Sequence, residues 1–319
     1  MCVSNFWEKL NKPIKVLAPM EDVTDTVFRQ LIAKWAPADV YFTEFTNAEG
    51  LGSAGKSKVM YRWKYTEKER PLVAQIWGLD PQMHYKSAKM AEDLGFDGVD
   101  INMGCPVKKI VKKGACSALI ENPGLAKEII QATKEGAGKL PVSVKTRIGF
   151  RTIQTEEWAT FLLQQNLQAL TIHGRTSKQD EKPADWSEVA KVVKLKNKIS
   201  PNTIIIGNGD VRERSEIEDK HKTYGVDGVM VARGILENIL IFKEGQNIAD
   251  LEINKKLEML TEHINLFTKT WGEGKNFYHL KKYFKIYLKG FENAGSIRGE
   301  LMKTQNAKEA KDFLKSLRV

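Results

Sequence analysis

Cysteine is scarce in this chain: three in 319 residues, at Cys2, Cys105 and Cys116. The number is odd and no Cys-x-x-Cys pair occurs, which argues against a disulfide-stapled scaffold and a structural zinc and points to a reducing cytoplasm. Long apolar runs are missing too. None approaches the roughly 18 to 20 residues that span a bilayer, so no membrane partner is expected. The first ten residues carry no basic stretch leading into an apolar one, so a secretory leader is not expected either. No Gly-x-Gly-x-x-Gly follows the first apolar run, which disfavours a Rossmann dinucleotide domain.

The charge that is present leans one way. A formal net charge of +10 implies a polyanionic partner. Residues 246–319 hold 14 Lys or Arg against 9 Asp or Glu, a surplus of five, so half the excess lies in under a quarter of the chain. With 42% apolar residues the remainder can bury a large core.

Eight short apolar runs punctuate the chain up to about residue 242: 16–18, 40–42, 72–76, 98–101, 142–145, 169–172, 203–206 and 228–231. Helical periodicity fills most of the gaps, notably 81–94, 123–135, 156–165 and 186–193, while 44–68 reads as an elaborated polar loop. Strands that are apolar on both faces and alternate with helices belong to a covered parallel sheet, and eight units favour a closed (β/α)8 TIM barrel over a doubly wound sheet. The alternation stops near residue 245. We therefore expect a barrel domain over 1–245 and a small all-helical domain over 246–319.

Barrel enzymes place their active sites at the carboxyl ends of the strands. Just after the apolar runs stand Pro19 and Met20, Glu44, Gln75, Asn102 and Cys105, Lys145, His173 and Arg175, Asn208-Gly209-Asp210, and Ala232-Arg233-Gly234. Any one of them has a bland explanation. Cys105 by itself is more readily a buried small hydrophobe than a reagent, but its position in V-D-I-N-M-G-C-P-V, at a strand end and among these neighbours, favours chemistry. The last two groups follow strands seven and eight, where barrels bind phosphate of a substrate or a cofactor through Gly-rich backbone donors, and Arg233 adds a bidentate anion contact. Gln75 and Lys145 suit the carbonyl-rich edge of a flavin. Flavin mononucleotide satisfies both requirements.

These motifs resemble the bacterial tRNA-dihydrouridine synthase family over nearly the full length. The matching stretches are A-P-M-E-D-V-T-D at 18–25, V-D-I-N-M-G-C-P-V at 99–107, V-K-T-R at 144–147, I-H-G-R-T at 172–176, G-N-G-D-V at 207–211 and V-A-R-G at 231–234. The resemblance implies reduction of the C5–C6 double bond of particular tRNA uridines, with FMN recharged by NADPH. It implies that Pro19, Met20 and Glu21 line the isoalloxazine and that Gln75 and Lys145 meet its polar edge. Asn208, Gly209 and Asp210 would flank the phosphate, and Ala232 with Arg233 would hold it. Cys105 would give a proton to C5, with Asn102, His173 and Arg175 facing the base or the flavin. His173 is placed with the cofactor, Asn102 and Arg175 with the substrate. Glu21-Asp22 departs from the Ala-Gly common in the family, and Cys116, within G-A-C-S-A-L, is assigned to tight packing.

In the tail, Phe277, Leu280, Phe284, Tyr287, Leu288 and Phe291 recur at helical spacing, with Lys281, Lys282, Lys285 and Lys289 on the other side. One amphipathic helix is expected, its basic face and Arg298 contacting tRNA phosphates without base specificity. A monomer is expected. Two rivals remain at this point: a barrel flavoenzyme acting on a free pyrimidine, which needs no basic tail, and a non-enzymatic RNA-binding protein.

Overall fold

The computed structural model describes residues 5–179 and 182–317, so Cys2 lies outside the described residues. Among the described residues nine parallel strands run in chain order: β1 (Ile14–Leu17), β2 (Val40–Phe42), β3 (Thr46–Asn47), β4 (Leu72–Trp77), β5 (Gly98–Met103), β6 (Val142–Arg147), β7 (Ala169–His173), β8 (Ile204–Asn208) and β9 (Gly228–Val231). Each neighbours the next in space from β4 to β9; β9 pairs with β1, β1 with β2, and β2 with β4, which closes the ring. The two-residue β3, unforeseen within the polar 44–68 stretch, adds only to the upper end of β4, where Thr46 pairs with Ile76. The eight apolar runs are thus the eight staves of a TIM barrel. Loop side chains cap three of the covering helices. Asp80, Asn122 and Asp185 accept from Gln82, Leu125 and Ser187 backbone N–H groups, and Pro81 and Pro123 occupy first positions, where a missing N–H costs nothing.

Period-two alternation decides what the barrel contains. Low in the barrel the inward positions are Ile14, Val16, Val40, Phe42, Val73, Ala169, Ile204, Ile206 and Met230, all buried in one cluster. Trp7 joins them from a short 3-10 turn, Phe6–Lys9, with its ring 4.8 Å from Phe6 and 6.4 Å from Phe42. Further up the strands the same inward parity delivers Gln75 and Asn208, two residues past Val73 and Ile206, His173, four past Ala169, and, from β5 and β6, the paired Asn102 and Lys145. The apolar base and the polar mouth are therefore one pattern read at two heights.

Gly207 shows how tightly the outer face is built. A Cβ there would stand 2.2 Å from a ring carbon of Trp186, whose indole N–H donates to the Gly209 carbonyl at 3.1 Å. Gly207→Ala is expected to cost about 1–3 kcal/mol through overpacking. A denaturant midpoint no lower than the parent's would show that Trp186 can move aside.

Contacts divide the chain into two compact units: residues up to Thr26 with Ala38–Val211 and Ser215–Ala232, and a second made of Val27–Pro37, Arg212–Arg214 and the chain from Arg233 on. The second unit thus starts before the expected boundary at 246, and it claims most of the helix Thr26–Trp35, which sequence order had given to the barrel. Aromatic packing explains that assignment. Phe28 stacks on Tyr283 at 5.2 Å, His263 lies 4.8 Å from Tyr283 with Nδ1 2.8 Å from the Tyr287 hydroxyl, and Trp35 meets Tyr287 edge-on at 6.2 Å.

The expected single helix over 277–291 is instead two one-turn helices, Tyr278–Lys281 and Phe284–Tyr287. Tyr283, Phe284, Ile286, Tyr287 and Leu288 are all buried, which is too broad a set for one apolar stripe. The basic face is divided as a result. Lys281 is buried and donates to the Met302 carbonyl at 2.7 Å, Lys289 donates to the Glu237 carbonyl, and Arg298 donates to the Leu288 carbonyl at 3.0 Å. Lys282 and Lys285 are exposed. No helix among the described residues is long and apolar enough to cross a membrane.

Candidate active site

The first unit carries the candidate site at the carboxyl ends of its strands. Asn102 is its organiser. Its side-chain oxygen accepts from the Gly104 and Cys105 N–H groups at 3.0 and 2.9 Å, and its Nδ2 donates to Gln75 Oε1 at 3.0 Å. Expected at the substrate, Asn102 therefore also fixes the turn that presents Cys105. Gln75 passes the network on, donating to Asp100 at 2.8 Å, and Asp100 accepts from Ser143 at 2.6 Å. Burial pushes the Asp100 carboxyl up from 3.8 to about 6, while Ser143, Gln75 and the charge of Lys145 pull it down. Asp100 was not singled out in the sequence. The signal was a carboxylate inside an apolar run, at the same parity as Asn102.

Lys145 projects from β6 and donates to Asn208 Oδ1 at 3.2 Å. The amide of Asn208 is oriented by its other end, where Nδ2 donates to the Met230 carbonyl at 2.8 Å. Burial, with the nearby charge of Arg147, lowers Lys145 from 10.5 to about 8; Asp100 and Cys105 act the other way. It is therefore still a cation at neutral pH. Arg147, also overlooked in the sequence, donates to the Gly104 carbonyl at 2.7 Å and the Thr176 carbonyl at 2.9 Å, tying the Cys105 turn to the chain beyond β7.

Cys105 is half-buried, and a second thiol tunes it. Cys116, held at a positive φ of 55°, is buried and donates a hydrogen bond to the Cys105 sulfur. That bond is the main cause lowering Cys105 from 9.0 to about 7; the Val107 N–H and the charges of Arg147 and Lys145 add to it against the opposing effect of burial. Burial in turn pushes the Cys116 thiol well up. Cys116 is buried as its small neighbours suggest, yet packing alone does not describe it.

Arg175 and Asp210 form the third part. Arg175 Nη2 reaches both Asp210 oxygens at 2.8 and 2.6 Å, its Nε donates to the Lys182 carbonyl, and its Nη1 lies 3.0 Å from His173 Nε2. A guanidinium only donates, so Nε2 accepts and the His173 proton sits on Nδ1. Asp210, at φ 52°, also accepts from the Ala184 N–H at 2.7 Å. Arg175, expected at the substrate, thus spends its donors on His173 and the 208–210 turn. The Asp210 charge is likewise met inside the protein.

The turn after β1 explains the unusual acid pair. Met20 N–H donates to Thr24 at 2.8 Å, Asp22 stands at φ 57° with its N–H on Glu44 at 2.8 Å, and Glu21 pairs with Arg62, whose Nε is 2.9 Å away. Glu21 and Glu44 therefore tie the Pro19-Met20 turn to neighbouring loops. Ala232 is half-buried just past β9, and Arg233, the next residue, is exposed at the start of the short helix Gly234–Glu237.

A closed parallel barrel whose mouth combines a tuned thiol, a desolvated lysine and a donor-rich turn after its seventh stave (β8) defines a (β/α)8 protein built for chemistry at its strand ends. Its fold is similar to that of a variant of NCR from Zymomonas mobilis, at a TM-score of 0.50 and 17% identity, covering 73% of this chain and 87% of that one. The profile of the family "Dihydrouridine synthase (Dus)" matches residues 16–318. The chain belongs to that family. It is 42% identical over 315 residues to the "Probable tRNA-dihydrouridine synthase" of Staphylococcus aureus (strain COL), covering 97% of this chain and 94% of the relative. It is 41% identical to the "Probable tRNA-dihydrouridine synthase 2" of Bacillus subtilis (strain 168), covering 97% and 95%. The resemblance read from the motifs is borne out across the chain.

Proposed function

We propose that the protein reduces the C5–C6 double bond of uridines in tRNA, with FMN as its resident cofactor and NADPH as the reductant. The observation that carries the reading is the turn in which Asn102 accepts from the Gly104 and Cys105 N–H groups and presents the Cys105 thiol at a barrel mouth that also holds Gln75 and Lys145. The donor set suits FMN. Gln75 and Lys145 give amide and ammonium groups for a carbonyl-rich edge, Asn102 stays with the substrate, and the 208–210 turn offers backbone to a phosphate with its own carboxylate already held by Arg175. Ala232, just past β9, and the cation of Arg233 that follows it in the chain are the further groups for a phosphate that the family resemblance implies. Pro19, Met20 and Glu21 would border the ring system.

When bound, FMN supplies the two electrons and the hydrogen that C6 of the uracil receives. Adding hydride to C6, the β-carbon of an enone, leaves negative charge on C5 and O4. The Cys105 thiol then donates its proton to C5, and solvent restores it. Lys145 and the Nδ1–H tautomer of His173 stabilise the charge on the oxygens. A general acid works best with a pKa close to the working pH, the condition Cys116 and the cations create at Cys105. Of the five tail cations expected at RNA phosphates, Lys282 and Lys285 are the exposed ones and keep that role.

The pH profile carries a prediction. Only the thiol form donates, so reduction of tRNA should fall as pH rises through about 7, and further above about 8 as Lys145 loses its charge. Cys116→Ala removes the bond that most lowers Cys105. Its first descending limb should move to higher pH and the second should stay. A limb that does not move would show that Cys116 has no bearing on the acid. The function itself is tested by mapping dihydrouridine in tRNA from cells with and without the protein: defined positions should revert to uridine. Unchanged tRNA, with free pyrimidine reduced instead, would overturn it.

A further inference from the structure

A cavity of about 580 Å³ opens beside the site, within the first unit, lined among others by Asn47, Trp77, Lys109, Ile110 and Lys113. Trp77 stands two residues above Gln75 on β4. Ala115, also in the lining, precedes Cys116, and Lys109 is four residues past Cys105. The cavity is therefore walled in part by the segment 105–116 that carries both thiols. Its volume lies in the range of roughly 300–1,000 Å³ that holds compact ligands.

Its chemistry is that of a nucleotide site. Trp77 gives an aromatic face and Ile110 an apolar wall, while Lys109 and Lys113 bring two exposed cations to the same lining. Glu49, the acid in the lining, is already engaged: its Oε1 accepts from the Leu79 and Asp80 N–H groups at 2.7 and 3.2 Å and its Oε2 from Asn47 at 2.6 Å. Lys108 and Lys112 form a second exposed i, i+4 pair, so residues 105–116 hold four lysines and no acid. Like charges so placed repel each other, and a polyanion relieves that repulsion.

The geometry points to a nucleotide of the RNA flanking the target uridine as the occupant, its base on Trp77 and its phosphates on Lys109 and Lys113. This rests on the proposed RNA substrate. RNA is favoured over the dinucleotide reductant because a second exposed lysine pair, Lys108 and Lys112, lies outside the cavity lining, which suits a continuing phosphate backbone. The cavity holds one nucleotide; the lysines follow the chain.

The test uses the FMN-loaded protein, a tRNA transcript and NADPH. Lys109→Ala with Lys113→Ala should weaken tRNA binding roughly tenfold at low salt and flatten its logarithmic salt slope by about 1.4 to 1.8. Trp77→Ala should weaken binding about five- to 150-fold with the salt slope unchanged, and Trp77→Phe should restore most of it. Flavin reduction by NADPH without tRNA should match the parent in all three. Parental tRNA affinity and slope in the lysine variant would overturn the assignment. So would slower flavin reduction with parental tRNA binding, which would make the cavity the reductant's. If the parent itself forms no dihydrouridine, the proposed function fails first, and that control is read separately.

Discussion

Cys105→Ala is expected to bind FMN and accept electrons from NADPH as the parent does, while its reduction of tRNA falls about 10²- to 10⁴-fold. Neither early step uses the thiol, and the proton to C5 does. A structural cysteine would give the opposite pattern. Its loss would leave a small cavity and lower stability with the rate per folded molecule near normal. The surroundings favour the first outcome, because the turn does not depend on the sulfur: Asn102 holds the Gly104 and Cys105 N–H groups, and Ser117 donates to the Cys105 carbonyl at 3.0 Å. Stopped-flow reduction and single-turnover tRNA assays on one preparation separate the two.

Lys145→Met is the second large effect. The lysine is desolvated enough to lower its pKa to about 8, so the fold carries a charge it would be easier to leave out. An apolar side chain of similar length should leave stability equal or higher. Reduction of tRNA should nonetheless fall about 10²- to 10³-fold, the usual loss when one group that stabilises developing charge is removed. If stability drops and the rate per folded molecule holds, Lys145 serves only to orient Asn208.

How much of this was legible in the sequence depends on the range of the interactions. The eight staves and their order were legible because parallel strands buried on both faces leave near-continuous Val, Ile and Leu runs. Gln75, Asn102, Cys105, Lys145 and His173 were legible as polar residues ending such runs. Asp100, Arg147 and the Cys116 bond were not, because they act across strands: Asp100 meets Ser143 43 residues away, and Arg147 reaches back 43 residues to Gly104. The same limit hid the partners of Arg175. From sequence it is a free cation after β7; in the structure it is engaged by Asp210, 35 residues on.

The tail shows the converse error. A helical period placed Lys281 and Lys289 on one cationic face with Lys282 and Lys285, but the segment is buried on several sides and the first two lysines bond to carbonyls. Meanwhile the lysines of 108–113, which sit next to the thiol, drew no notice because they follow a catalytic motif and resemble an ordinary solvated turn.

The most direct test of the central claim is mass analysis of one unmodified tRNA transcript incubated with purified, FMN-loaded protein and NADPH. The account predicts a gain of two hydrogens at defined uridines, abolished in Cys105→Ala on the same timescale while NADPH still reduces the flavin. A transcript that gains no hydrogens in the presence of fully reducible protein, or one reduced at the parental rate by Cys105→Ala, would contradict it.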